Sequence, residues 1–157
     1  MVGGDGVTIL AIDGGKNVGY ALFTETGEDI ERGVISHETF FSGKAWSISD
    51  YVTGGKPIFV GAWYIHTPVV EGIRHNPMIS QGGSQRWESQ VEGAMRMLGA
   101  LTDVPVEVQP ASILPVAMIQ NQYPKPVTRT GKPKHLPDQD AAWLHGRYFL
   151  VAKGIID

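Results

Sequence analysis

Val7-Thr8-Ile9-Leu10-Ala11-Ile12-Asp13-Gly14-Gly15-Lys16-Asn17-Val18-Gly19-Tyr20-Ala21-Leu22-Phe23 is the stretch from which the rest of the chain can be read. An almost unbroken apolar run ends in a carboxylate and two glycines. A run this short, rich in β-branched residues and apolar on both faces, predicts a strand in the middle of a sheet covered on both sides. Asp13 stands where that strand leaves the core. A bare carboxylate there is costly to bury, so it is solvated, hydrogen-bonded or facing a cation. Gly14 and Gly15 permit a tight turn and close backbone approach, and Gly19 to Phe23 returns as a second strand.

Working outward, Thr24-Glu25-Thr26-Gly27-Glu28 reads as a turn and Ile30 to Phe41 as a third strand, completing an antiparallel meander. Ser42 is placed to cap a helix running to Val52, with Ala45, Ile48 and Val52 at spacings of three and four. The run from Ile58 to Ile65 is too short for periodicity to separate helix from strand. Pro68-Val69-Val70-Glu71-Gly72-Ile73 repeats the opening theme, a β-branched run ending in a carboxylate. A helix is predicted from Ser84, its buried face carrying Trp87, Val91, Ala94, Met95, Leu98 and Leu101. Gly93 and Gly99 weaken it by roughly 1 kcal/mol each, which points to close packing there. Val104 to Val108 is a further strand, joined to the preceding one by a parallel crossover. His135 opens a last helix toward Lys153, with Pro137 in its first turn and Ala141, Leu144, Tyr148 and Val151 as the buried stripe.

The 157 residues, 42% hydrophobic and 18% charged, describe a single α/β domain over 1–157. No apolar window approaches a membrane span and the N-terminus lacks a signal-peptide pattern, so a cytoplasmic protein is expected. The absence of cysteine excludes disulfides and thiolate metal sites. Net charge is −3, unevenly spread. Through Glu31 there are six acids and one base, Lys16, whereas Tyr123 to His135 holds Lys125, Arg129, Lys132 and Lys134 with no acid. Prolines and glycine in that basic segment predict a mobile loop.

Asp13, Glu71 and Asp140, with Asp138 as a fourth, stand at element ends. If the strands bearing Asp13 and Glu71 are neighbours and the last helix crosses them, these acids meet, and like charges repel unless cations occupy the cluster. Hard oxygen donors favour Mg²⁺ or Mn²⁺. Two such ions, about 4 Å apart, suit phosphodiester hydrolysis. Each acid also has a plainer reading, as a turn aspartate, a solvated strand end or a helix N-terminal charge. The histidines read as surface or internally satisfied groups, since no HExxH pairing occurs.

The opening Ile9 to Gly15 with Gly19-Tyr20-Ala21, the strand Val69-Val70-Glu71, the helical Gln90-Val91-Glu92-Gly93, and Asp138-Gln139-Asp140-Ala141-Ala142 together resemble the RuvC-like Holliday junction resolvases of the RNase H-like nucleases. The likeness in order and spacing spans nearly the whole chain. It implies a mixed central sheet, an antiparallel three-strand meander followed by parallel strands, with helices on both faces. It also implies a Mg²⁺-dependent endonuclease that cuts branched DNA as a homodimer, in a bacterial cell or the host cell of a phage. Asp13, Glu71, Asp138 and Asp140 would be its catalytic metal ligands. Asp140 takes precedence over Asp138 because of the alanines that follow it. Lys16, Arg74, Arg86, Lys125, Arg129, Lys132 and Lys134 are the expected DNA contacts. Two departures stand out. The last two acids are two apart rather than three, and Arg74 occupies the place of an aromatic wedge.

Two other classes fit parts of the pattern. Asp-Gly-Gly after a first strand also resembles the phosphate loop of actin-like sugar kinases and ATPases, and a catalytically inactive nucleic-acid scaffold would keep the same fold. A Walker loop is disfavoured because the Gly-Lys pairs at 15, 43, 55 and 131 are followed by Asn, Ala, Pro and Pro.

Overall fold

The apolar opening run forms β1 (Ile9–Asp13) at the centre of a five-stranded sheet, with β2 (Asn17–Phe23) and β3 (Asp29–Ser36) on one side. β7 (Thr67–Gly72) and β8 (Glu107–Pro110) lie on the other. The computed structural model describes residues 8–48, 55–72 and 84–157. Pairing is antiparallel across β3-β2-β1 and parallel across β1-β7-β8. This is the mixed sheet of the RNase H-like fold expected from the sequence.

Alternation along β1 assigns its side chains to two cores. Leu10 and Ile12 join Val70, Val91 and Met95 beneath α2 (Ser84–Thr102), while Ile9 and Ala11 join Val69, Ala142 and Leu150 beneath α4 (Asp138–Ala152). Both helices are therefore needed to cover a strand apolar on each face. The parallel β7–α2–β8 crossover is as predicted. Gly99 meets the close-packing expectation, since a Cβ there would press on the Val104 carbonyl and the Val106 side chain; at Gly93 nothing among the described residues lies within 4 Å.

Several boundaries differ from the expectations. The third strand stops at Ser36, whose hydroxyl accepts the Thr39 amide (3.0 Å) and starts the short helix α1 (His37–Phe41). Ser42 ends that helix rather than capping a new one, and Trp46–Ile48 forms β4. β4 pairs with β5 (Pro57–Phe59), which pairs with β6 (Trp63–Tyr64), in a small second sheet. Three apolar residues at helical spacing were too few to outweigh the packing of Trp46 on Phe59, whose ring centroids lie 4.5 Å apart. Gly61 and Ala62, with φ of 80° and 69°, turn the undecided run into a hairpin. The remainder of the expected helix, residues 49–52, lies outside the described residues.

β8 begins at Glu107, three residues later than predicted, because Pro105 has no amide to give to a ladder. A helix the periodicity did not announce, α3 (Leu114–Gln120), follows β8 and packs Ala117 and Met118 against Leu144 of α4. α4 itself starts at Asp138; Pro137 is extended (ψ 140°) and stands just ahead of the first turn. Its buried arc differs from the predicted stripe: Ala141 and Leu144 are buried with Ala142, His145, Gly146, Phe149 and Leu150, whereas Tyr148 and Val151 are only half-buried, because α4 lies between the sheet and α3. The basic segment is a loop that closes on itself: Val127 bridges Pro133, and the Thr128 amide donates to the Lys132 carbonyl (2.7 Å). No helix among the described residues is long and apolar enough to cross a membrane.

Candidate active site

β1 and β7 run parallel in the register Ile12–Val70, so the next residues on the two strands, Asp13 and Glu71, emerge side by side from the same end of the sheet. They share the parity of Ala11 and Val69 and so belong to the face that α4 covers. Asp138 reaches them from the first turn of α4. Gly19, paired with Asp13 across the β1–β2 ladder, admits it: a Cβ at Gly19 would overlap the Asp138 carbonyl. Glu88 of α2 is a fourth carboxylate on the same wall, a position the sequence reading did not single out. Gly14 packs against Val91 and brings that helix close to the loop after β1.

These four acids line one cavity of about 650 Å³. Lys16, Lys125, Lys134 and His135 also line it, with Leu114, Pro115 and Met118 forming an apolar side. Basic and acidic groups thus face the same space. Burial, then the charges of Glu71, Asp138 and Glu88, pushes the Asp13 carboxyl up to about 8. Burial, then Glu71 and Asp138, pushes Glu88 up to about 7. Burial also raises Asp138, against the opposing charge of His135. Crowding of this kind favours protonated carboxyls, or a cation, over several bare charges in one space.

Asp140 is elsewhere. Successive helical residues turn by about 100°, so two positions after Asp138 the side chain points away from the cavity. Its Oδ2 accepts the Tyr123 hydroxyl (2.6 Å) and its Oδ1 lies 3.5 Å from Arg32 Nη1. It is not part of the cavity wall, and of the two aspartates the geometry brings Asp138 to Asp13 and Glu71. Seven residues after Asp138, and therefore on its face of the helix, His145 is fully buried. Its Nε2–H donates to Glu71 Oε2 (2.6 Å), and its Nδ1 lies 2.8 Å from Gln109 Oε1. Only the i, i+7 spacing from Asp138 signalled this histidine in the sequence.

The expected DNA contacts divide by position. Lys16, Lys125 and Lys134 face the cavity; Arg129 and Lys132 stand exposed in the basic hairpin, and Arg86 is exposed on α2. Arg74 lies outside the described residues. The all-carboxylate donor set fits a hard divalent cation in chemistry. Among the described residues, however, no three acids or histidines are drawn up tightly enough to form a closed cation site. The acids are mutual electrostatic neighbours whose side chains would have to close around an ion.

No family model matches the chain, and no curated protein matches its sequence. Solved structures do match. Thermus thermophilus RuvC in complex with a Holliday junction substrate aligns over 95% of this chain and 98% of its own, with a TM-score of 0.55 at 12% identity. Another structure of Thermus thermophilus RuvC aligns over the same shares, with a TM-score of 0.54 at 11% identity. The likeness is one of fold along the full length of both chains.

Proposed function

We propose that this chain is a divalent-cation-dependent endonuclease acting on branched DNA, such as four-way junctions, with Asp13, Glu71 and Asp138 as the ligands of a Mg²⁺ (or Mn²⁺) pair. The observation that carries the reading is the cavity at the end of β1 and β7, where carboxylates from four elements face lysines. The RuvC likeness in fold supports it. A bound pair of such ions supplies an activated water and stabilises the departing oxygen in phosphodiester hydrolysis. The chain's own part is to hold carboxylates from separate elements at one end of the sheet, and to draw in phosphate with Lys16, Lys125 and Lys134. Glu88 adds a fourth carboxylate within reach of the same charges. Asp140 is assigned to the stability of α4 rather than to the reaction. The family resemblance extends the proposal to a homodimer working in a bacterial cytoplasm or a phage-infected cell.

The test is incubation of the purified protein with four-way, flap and linear DNA and with RNA–DNA hybrid in Mg²⁺. Cleavage selective for branched DNA, lost in Asp13→Asn, is expected. Undiminished cleavage in that variant overturns the assignment, and cutting confined to the hybrid redirects the substrate. Junction binding without cleavage in Mg²⁺, or with Mn²⁺ in its place, identifies an inactive scaffold of the same fold.

A further inference from the structure

Of the groups around the cavity, His145 is the one whose burial the proposed chemistry does not yet use. An imidazole with no solvent exposure must have both ring nitrogens satisfied from within. Both partners come from adjacent strands: Glu71 of β7 and Gln109 of β8 are directly paired in the parallel ladder. The ring of α4 thus reaches two neighbouring side chains on the sheet face that α4 covers. Gln109 is itself buried, and its amide can meet the ring as donor or acceptor by a half-turn. Glu71 differs from Gln109 in lining the cavity.

We propose that His145, backed by Gln109, is a positioning residue that fixes the Glu71 carboxylate for cation binding. This rests on the reading of Glu71 as a ligand. A glutamate has three side-chain torsions to restrain, and an unheld strand-end carboxylate samples many of their rotamers. The short bond from His145 occupies Oε2. Among the described residues it is the only hydrogen bond to that carboxylate, so Oε1 is left for the ion. Supporting partners of this kind typically change cation affinity by about 10–100-fold. Because His145 sits on the same face of α4 as Asp138, two turns further on, one helix both contributes an acid and orients another. Packing α4 onto the sheet therefore sets two donors at once.

The test is Mn²⁺ binding to the DNA-free protein, followed by electron paramagnetic resonance, together with the Mg²⁺ dependence of cleavage. His145→Leu should weaken Mn²⁺ binding by about 10–100-fold and raise the Mg²⁺ needed for half-maximal cleavage by a similar factor. His145→Gln, which keeps a donor toward Glu71, should recover most of the loss. Gln109→Leu, which leaves His145 in place but removes its support, should show a smaller loss. Folding is checked by the melting temperature without metal; should His145→Leu not fold, the Gln109→Leu result decides. Normal Mn²⁺ binding in these folded variants, beside weakened binding in Asp13→Asn, overturns the positioning role alone. Normal binding in Asp13→Asn as well, or a wild type that binds no Mn²⁺, overturns the underlying reading of the cavity.

Discussion

Two aspartates in the first turn of α4, alike in chemistry and two residues apart, lie in opposite electrostatic environments. Asp138 faces Asp13, Glu71 and Glu88, and its carboxyl is raised by burial. Asp140 faces Arg32 and the Tyr123 hydroxyl, and its charge is answered on the spot. Arg32 also stacks over Trp143, 4.9 Å from the ring centroid, and Trp143 Nε1–H donates to Asp29 of β3 (3.1 Å). That side of the helix is a closed set of partners tying α4 to the meander. The contrast teaches how to separate acids that hold a fold from acids that await a ligand. A carboxylate held directly by a cation and a donor is accounted for by the fold; one buried in a cleft among other carboxylates is a functional-site candidate.

Substitutions on the two sides of α4 should separate most sharply in cleavage. Asp13→Asn and Asp138→Asn should each lower the rate by about 10³-fold, roughly 4 kcal/mol of barrier, while Asp140→Asn stays near wild type. Equal losses at 138 and 140, measured on a four-way junction, would erase the distinction.

The position of α4 can be perturbed from the sheet side. Gly19→Ala places a methyl group where the Asp138 backbone lies, forcing the start of the helix outward. A destabilisation of about 1–3 kcal/mol by urea unfolding, with reduced cleavage, is expected; a neutral result would mean that Gly19 does not set the approach of Asp138.

Acid crowding should also appear as a pH effect on stability in the absence of metal. The folded chain holds the Asp13 proton up to about 8, against an ordinary 3.8, so between these values folding takes up a proton. This contribution is full below the lower value and is lost as pH rises through about 8. The melting temperature should therefore fall over that window. Asp13→Asn should flatten the fall and melt higher than wild type at pH 9, and Mg²⁺ should raise wild type more than the variant. A pH profile identical in the two proteins would contradict the crowding.

Smaller effects belong to single contacts. Lys134→Ala should reduce the salt slope of junction binding by about one unit, while Arg86→Ala, away from the cavity, changes it less. Tyr123→Phe, on the complete side of α4, should cost about 1 kcal/mol of stability and leave cleavage unchanged. If it also lowered cleavage, the two sides of the helix would be coupled.

Much of this was legible along the chain. Apolar runs of strand length announced β1 and β7, the 3.6-residue repeat announced α2, and an acid at each strand end marked the rim where the cavity opens. The second sheet and α3 were not legible, because their apolar runs are too short to carry a period. Which of Asp138 and Asp140 lines the cavity was not legible for a different reason. Neighbouring alanines favoured Asp140, whereas the helical turn of about 100° per residue and the missing Cβ of Gly19 favour Asp138 at the cavity.

By itself, then, the sequence determined which segments form the central sheet and its two covering helices, since hydrophobic period and strand-ending acids are properties of local order. The tertiary structure alone decided which carboxylates share a cavity, and that a histidine seven residues into α4 reaches Glu71. Those facts depend on helix azimuth and strand register, which bring together residues as far apart as 13 and 138. No local pattern encodes such a meeting until the helix has packed on the sheet.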